Sequence, residues 1–349
     1  MDELAGRELA EMLKERARPQ PVVHADGVHF NLPEDAYRDD PALGSSAMKQ
    51  LALAPCDYWY TSHLNPDRPP DKDSEAQKRG TALHVLAFQG EQAFDRRYMR
   101  GPEHEAEMSP AAKGALTKAA NREAAERGLI LLPALTYDRI AIVARKLLRN
   151  PYLVEAFSGG AGEVSVFWTE THVLDQTRTD DRPYSLPIRK KARLDYLKPR
   201  GIGDLKSVAN QFELPFARAC INAITNYYYH VQAGHYLTAR ARMPAMLAQE
   251  QITVWGEPLP PKALLDGLVR EKNFAWEWVF WQAERAPITW SRVLSPGNPM
   301  LEMAQSVIRR AEQNYLRYMQ RFGPTELWIE EDKPEELFVE DMPPWFGRD

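Results

Sequence analysis

The spacing of hydrophobic residues changes partway along this chain. In the first half they recur every three or four positions, which predicts helices. Residues 1–18 place Leu4, Leu9 and Leu13 on one side of a charged helix that stops at Pro19. A loop-rich stretch runs to about Leu43, and the segment from Ser45 then reads as a capped helix closed at Ala54 and Pro55. Asp57 to His63 is aromatic-rich, and Asn65 to Ser74 is a polar loop. Glu75 to Gln89 carries Leu83, Leu86 and Ala87 on one helical face. Residues 101–128, rich in alanine and charge, and Thr136 to Asn150 are the next predicted helices.

From Glu163 the pattern alternates with period two, which predicts strands. They cover Glu163 to Trp168, Ile188 to Tyr196 and Ile202 to Val208, with a polar insertion at Glu170 to Arg182. Pro199, Arg200 and Gly201 supply turn chemistry between the last two. A helix follows over Pro215 to Arg240. Strands at Gln251 to Trp255 and Ala275 to Gln282 and a final amphipathic helix at Met300 to Phe322 complete the order. That succession predicts an α/β fold, a central mixed β-sheet flanked by helices.

The 349 residues suffice for one large domain or two small ones, and 44% hydrophobic with 27% charged is ordinary for a soluble protein. No apolar run reaches the length of a membrane span, and the N-terminus has no signal-peptide profile. Cys56 and Cys220 form no CxxC pair, which argues against a zinc site or an iron–sulfur cluster and fits a reducing cytosol. The net charge of −5 does not suggest a protein that coats nucleic acid. Basic residues nonetheless gather at Arg189 to Arg193 and at Lys198 and Arg200, whereas acids concentrate between Glu330 and Asp341.

The sharpest chemistry is Asp204-Leu205-Lys206. On a strand Asp204 and Lys206 share a face while Leu205 points into the core. A hairpin centred on residues 199–201 brings Asp195 about opposite Asp204, and facing carboxylates repel unless a divalent cation sits between them. His84, Glu163, Gln232 and Tyr236 are each unremarkable alone: a helix histidine, a surface acid, and two polar residues four apart on one helix face. The basic run Arg189 to Arg193 alone is a solvated strand edge. Tyr227 to Tyr229 and the tryptophans from Trp276 to Trp281 suit stacking on single-stranded bases or, more simply, core and subunit contacts.

In their order these residues resemble the PD-(D/E)xK nuclease superfamily, and within it the phage RecE-like exodeoxyribonuclease VIII group, whose motifs are shared with the RecB nuclease domain. The resemblance rests on Gly80 to His84, Glu163, Arg193-Leu194-Asp195, Asp204-Leu205-Lys206 and Gln232 to Tyr236, with Ser45 to Tyr60 as the entry segment, and covers about residues 40–240. It implies a restriction-endonuclease-like sheet over residues 37–325, between an N-terminal extension (1–36) and an acidic tail (326–349). It also implies an Mg²⁺-dependent exodeoxyribonuclease, with Mn²⁺ an alternative, that resects linear double-stranded DNA from its ends, 5′ to 3′, for recombination. The metal ligands would be His84, Asp195, Asp204 and the Leu205 carbonyl; such a cation polarises the scissile phosphate and lowers the pKa of an attacking water. Lys206 would hold that water or stabilise transition-state charge, Glu163 would hold a water on the cation, and Gln232 and Tyr236 would orient the metal ligands or the phosphate backbone. Arg193 touches a flanking phosphate or balances the acids, and Lys191 and Arg189 are expected to bind DNA beside it. A homo-oligomer, a RecT-type single-strand annealing partner and a phage- or prophage-encoded protein of the bacterial cytoplasm complete the expectation. The alternatives are another endonuclease or repair nuclease of the superfamily, without an iron–sulfur cluster, and an inactive DNA-binding scaffold.

Overall fold

The computed structural model describes residues 21–69, 75–147, 150–175, 183–283, 286, 288–330, 336–343 and 346. The helix expected over residues 1–18 lies outside them, as does most of the insertion expected at 170–182. Among the described residues no helix is long and apolar enough to cross a membrane.

A seven-stranded mixed sheet forms the centre. Its strands are β1 (Gly27–Phe30), β4 (Ala161–Val173), β5 (Ser185–Lys198), β6 (Gly201–Val208), β7 (Ile252–Val254), β8 (Ala275–Gln282) and β9 (Thr289–Leu294), in the order β7-β1-β4-β5-β6-β8-β9. β1 runs parallel to β7 and β6 parallel to β8, while the other neighbours are antiparallel. A separate parallel pair, β2 (Tyr98–Arg100) and β3 (Ile130–Leu132), stands apart. This is the α/β architecture that the residue pattern predicts.

Helices cover both faces. One face packs against α9 (Phe216–Asn226), α10 (Tyr229–Ala248) and α11 (Lys262–Arg270). The other packs against α4 (Glu75–His84), a π turn at Val85–Gln89, α5 (Glu91–Asp95), α7 (Ala134–Leu147) and α8 (Pro151–Ala156). The alternation in β8 shows why both layers hold: Trp276, Trp278 and Phe280 join the first core, and Val279 and Trp281 join the second. A third core closes α2 (Ser45–Leu53) and α3 (Pro55–Thr61) against α12 (Pro299–Phe322). Lys190 on β5 is almost fully buried and is neutralised by Glu170 at 2.8 Å and by Glu312 of α12 at 2.5 Å, which ties sheet to helix. The remaining helices are α1 (Glu34–Asp39) and α6 (Pro110–Glu126).

Several expected boundaries move. The extension assigned to residues 1–36 contains β1, a fully buried strand between β4 and β7, because Val28 and Phe30 are core residues. At the other end Trp328 lies past the boundary drawn at 325, yet it is 1% exposed and packs on Tyr58, Tyr315 and Tyr318. The strands expected at 163–168 and 188–196 are the middles of a longer ladder that pairs Ala161 with Leu197 and Val173 with Ser185. The single helix expected over 215–240 is broken at Tyr228, whose φ of 52° lies in the left-handed region.

α10 can approach α12 closely because Gly234 has no side chain; a Cβ there would lie 2.7 Å from the Ala304 Cβ. Gly234→Ala is therefore expected to destabilise the fold by about 1–3 kcal/mol through overpacking. A urea unfolding midpoint equal to that of the wild type would contradict this packing.

Candidate metal and phosphate site

The alternation along β6 sets the site. Ile202 and Val208 belong to the core under α9 and α10, and Asp204 and Lys206 interrupt that same stripe, while Leu205 faces the opposite core. Asp204 is thus a carboxylate at an apolar position, 1% exposed. Its Oδ1 accepts from Lys206 Nζ at 2.6 Å and from Gln232 Nε2 at 3.2 Å, while Oδ2 is buried without a hydrogen-bond partner. Burial, reinforced by the nearby Asp195 and outweighing the Lys206 ammonium, pushes this acid up to about 6. Lys206 is shifted the opposite way: burial opposes its charge, but Asp204 and Asp195 hold it well above the usual lysine range.

The β5–β6 ladder pairs Lys198 with Gly201 and ends at Tyr196 and Gly203, one position short of Asp195 and Asp204. There the Asp195 Oδ2 accepts from the Leu205 amide at 2.9 Å instead. β5 itself is irregular at this point. Ala192, Leu194 and Leu197 share one core, so the alternation slips by one residue between 194 and 197. On β4, Glu163 stands between Gly162 and Val164, which pair with Tyr196 and Leu194, and it adopts a φ of 55°. A bulky side chain in the left-handed region costs about 1–3 kcal/mol and persists where its surroundings demand it.

The demand comes from His84, at the junction of α4 and the π turn. Its Nδ1 lies 3.2 Å from Glu163 Oε1, and its Nε2 lies 2.9 Å from the Leu205 carbonyl and 3.4 Å from Asp195 Oδ2. Burial alone would lower this imidazole, but Asp195 and Glu163 raise it to about 9, so it carries a proton at neutral pH and donates from both nitrogens. Glu163 is correspondingly held down at about 2: burial raises it, and His84 and Arg193 more than reverse that. Arg193 Nε donates to Glu163 Oε2 at 2.6 Å, and its Nη1 reaches the Leu32 carbonyl and Ser165 Oγ.

His84, Glu163 and Asp195 offer ligand atoms within 4.8 Å of one another and could hold a metal ion. The donor set fits a hard or borderline divalent cation, and the orphaned Asp204 Oδ2 is a further oxygen without a partner. The Leu205 carbonyl already accepts from His84. A cavity of about 190 Å³ opens onto His84, Glu163, Arg193, Asp195 and Tyr236. Tyr37, Arg38 and Tyr236 separate it from a second cleft of about 400 Å³ beside the start of α2.

The expected DNA-facing cations are engaged within the protein. Arg189 binds Asp40 at 3.0 Å and the His24 carbonyl at 2.6 Å. Lys191 caps the carbonyls of Tyr37, Arg38 and Asp40. Arg193 balances Glu163. Tyr236 borders both clefts and lies against Tyr37 and Ser45. Tyr37, Lys49 and Tyr229 also border the site. Tyr37 and Lys49 had no local signal, and the tyrosine run at 227–229 gave no indication of which ring faces Lys206.

No protein-family model and no curated protein matches this sequence. A crystal structure from Eubacterium rectale, described as a candidate exonuclease, aligns with 84% of this chain and 88% of its own, at 14% identity and a TM-score of 0.45.

The raised pKa of His84 makes the stability of the fold depend on pH. Its folded-state value of about 9 exceeds the ordinary 6.5, so its contribution to stability is complete below pH 6.5 and is lost as pH rises through 9. Without divalent metal, the melting temperature of the wild type is expected to fall across that interval relative to His84→Gln. Parallel profiles for the two proteins would show that the imidazole is not the charged partner of these acids.

Proposed function

We propose that this protein is a metal-dependent deoxyribonuclease of the PD-(D/E)xK kind. The observation that carries the reading is Asp204, a buried carboxylate with one oxygen on Lys206 and the other unpaired, beside the His84, Glu163 and Asp195 cluster. A fold sustains so costly an arrangement where a cation and an anionic substrate complete it. His84, Glu163, Asp195 and Asp204 would hold the metal. When bound, Mg²⁺ or Mn²⁺ would supply Lewis acidity at the scissile phosphate.

The chain's own groups divide the remaining work. Gln232, donating to Asp204 Oδ1 beside Lys206, holds that carboxylate in place and leaves Oδ2 unpaired. Lys206 keeps a full positive charge next to the position a phosphate must take to approach Asp204. Arg193 orients Glu163 and offsets its charge. His84 must give up its proton to become a ligand, so cation binding would release a proton at neutral pH.

The resemblance of the motifs to the RecE-like group narrows the reading to an exonuclease. It acts on ends of linear duplex DNA, 5′ to 3′, exposing single strands for recombination by a RecT-type annealing protein, and it works as a homo-oligomer.

Purified protein with Mg²⁺ is expected to degrade linear duplex DNA and to spare covalently closed circles. Asp204→Asn, which keeps the shape and removes the charge, should lower the rate by about 10²-fold or more while the protein remains folded. Cleavage of closed circles would overturn the exonuclease reading, and undiminished activity in Asp204→Asn would overturn the site. Duplexes labelled at either the 5′ or the 3′ end, followed over time, decide the polarity.

A further inference from the structure

Lys49 lies on α2, whose buried positions are Ser45, Met48, Leu51 and Ala52. Lys49 follows Met48 around the helix and reaches the edge of the core, partly buried, with its ammonium 5.5 Å from the centroid of the Tyr229 ring. The Lys206 ammonium stands at the same 5.5 Å from that ring. Two like charges thus share one aromatic ring in a weakly solvated place, which disfavours both.

Their partners differ. Lys206 is neutralised by Asp204 at 2.6 Å, and Gln232 takes a further position on the same carboxylate oxygen. Lys49 has no carboxylate or carbonyl partner among the described residues. Burial first, and then the Lys206 charge, push its pKa down to about 8 in spite of Asp204. A desolvated ammonium next to another ammonium, with no anion of its own, is a cost to the folded chain.

We propose that Lys49 contacts the substrate phosphate, binding a non-bridging oxygen of the phosphodiester on the Tyr229 side of Asp204 and Lys206. The inference rests on the nuclease reading. The two cations then play separate parts: Lys206 is held by Asp204, and Lys49 is left for the anion. The Tyr229 ring, 5.5 Å from each ammonium, gives both a cation–π contact.

The test compares wild type, Lys49→Gln and Lys49→Arg in three measurements. These are steady-state cleavage of linear duplex with Mg²⁺, binding of an end-labelled duplex with Ca²⁺ in place of Mg²⁺, and the metal-free melting temperature. Lys49→Gln is expected to lose roughly tenfold or more in kcat/KM and in duplex affinity, the loss of one charge-assisted phosphate contact. Its melting temperature should stay equal or rise, because the repulsion with Lys206 is relieved, and Lys49→Arg should recover most of the affinity. Cleavage and binding equal to wild type in Lys49→Gln would overturn the proposal. A fall in melting temperature that accounts for the lost activity would also overturn it, since that marks Lys49 as a packing residue. If the wild type cuts no duplex at all, the nuclease reading fails separately. Calorimetric titration with inorganic phosphate then decides Lys49: weaker binding by Lys49→Gln supports the contact, and equal binding refutes it.

Discussion

Three carboxylates, Glu163, Asp195 and Asp204, are held together with little water around them, and the surrounding structure is arranged to neutralise them. Each has a cation or donor of its own: Arg193 and His84 for Glu163, the Leu205 amide and His84 for Asp195, Lys206 for Asp204. Those partners come from α4, β5 and β6, so the sheet and its covering helix are joined by charge at the point where the apolar core is interrupted. Removing one partner of a buried pair leaves an uncompensated ion and costs about 3–5 kcal/mol. The protonated His84 occupies the electrostatic role that a divalent cation would take over.

Backbone irregularity gathers at the same place. The left-handed Glu163, the slipped alternation at Asp195 and the early end of the β5–β6 ladder each turn a side chain that a regular strand would point elsewhere. The departures coincide where β4 and β5 turn Glu163 and Asp195 into one cavity, with Asp204 of β6 buried beside them.

Much of this was legible in the residues. The period-two pattern around Asp204 and Lys206, and the turn at Pro199 to Gly201, depend on local spacing alone, as does the shared face of Gln232 and Tyr236. What was hidden depends on partners far away in sequence. Arg189 and Lys191 read as free cations because Asp40 and the carbonyls of residues 24–40 lie about 150 positions upstream. β1 is only four residues long, and the strands that bury it, β4 and β7, lie more than a hundred positions downstream. The break at Tyr228 is a single left-handed residue that composition does not mark. Lys49 sits in a helix whose polar face gives no sign of which neighbour it meets.

The π turn after His84 fits one more residue into its loop of backbone than a regular helix does. It closes α4, and Gly90, with a φ of 85°, ends it before α5 begins. Phe88, within that turn, packs on both Phe157 and Tyr196. Deleting any one residue between Val85 and Gln89 would restore the even spiral and rotate everything beyond it by about 100°. His84 would keep its place while the aromatic wall behind it turned away. Length, more than residue identity, is thus what this five-residue stretch must keep for Phe88 to stand between Phe157 and Tyr196.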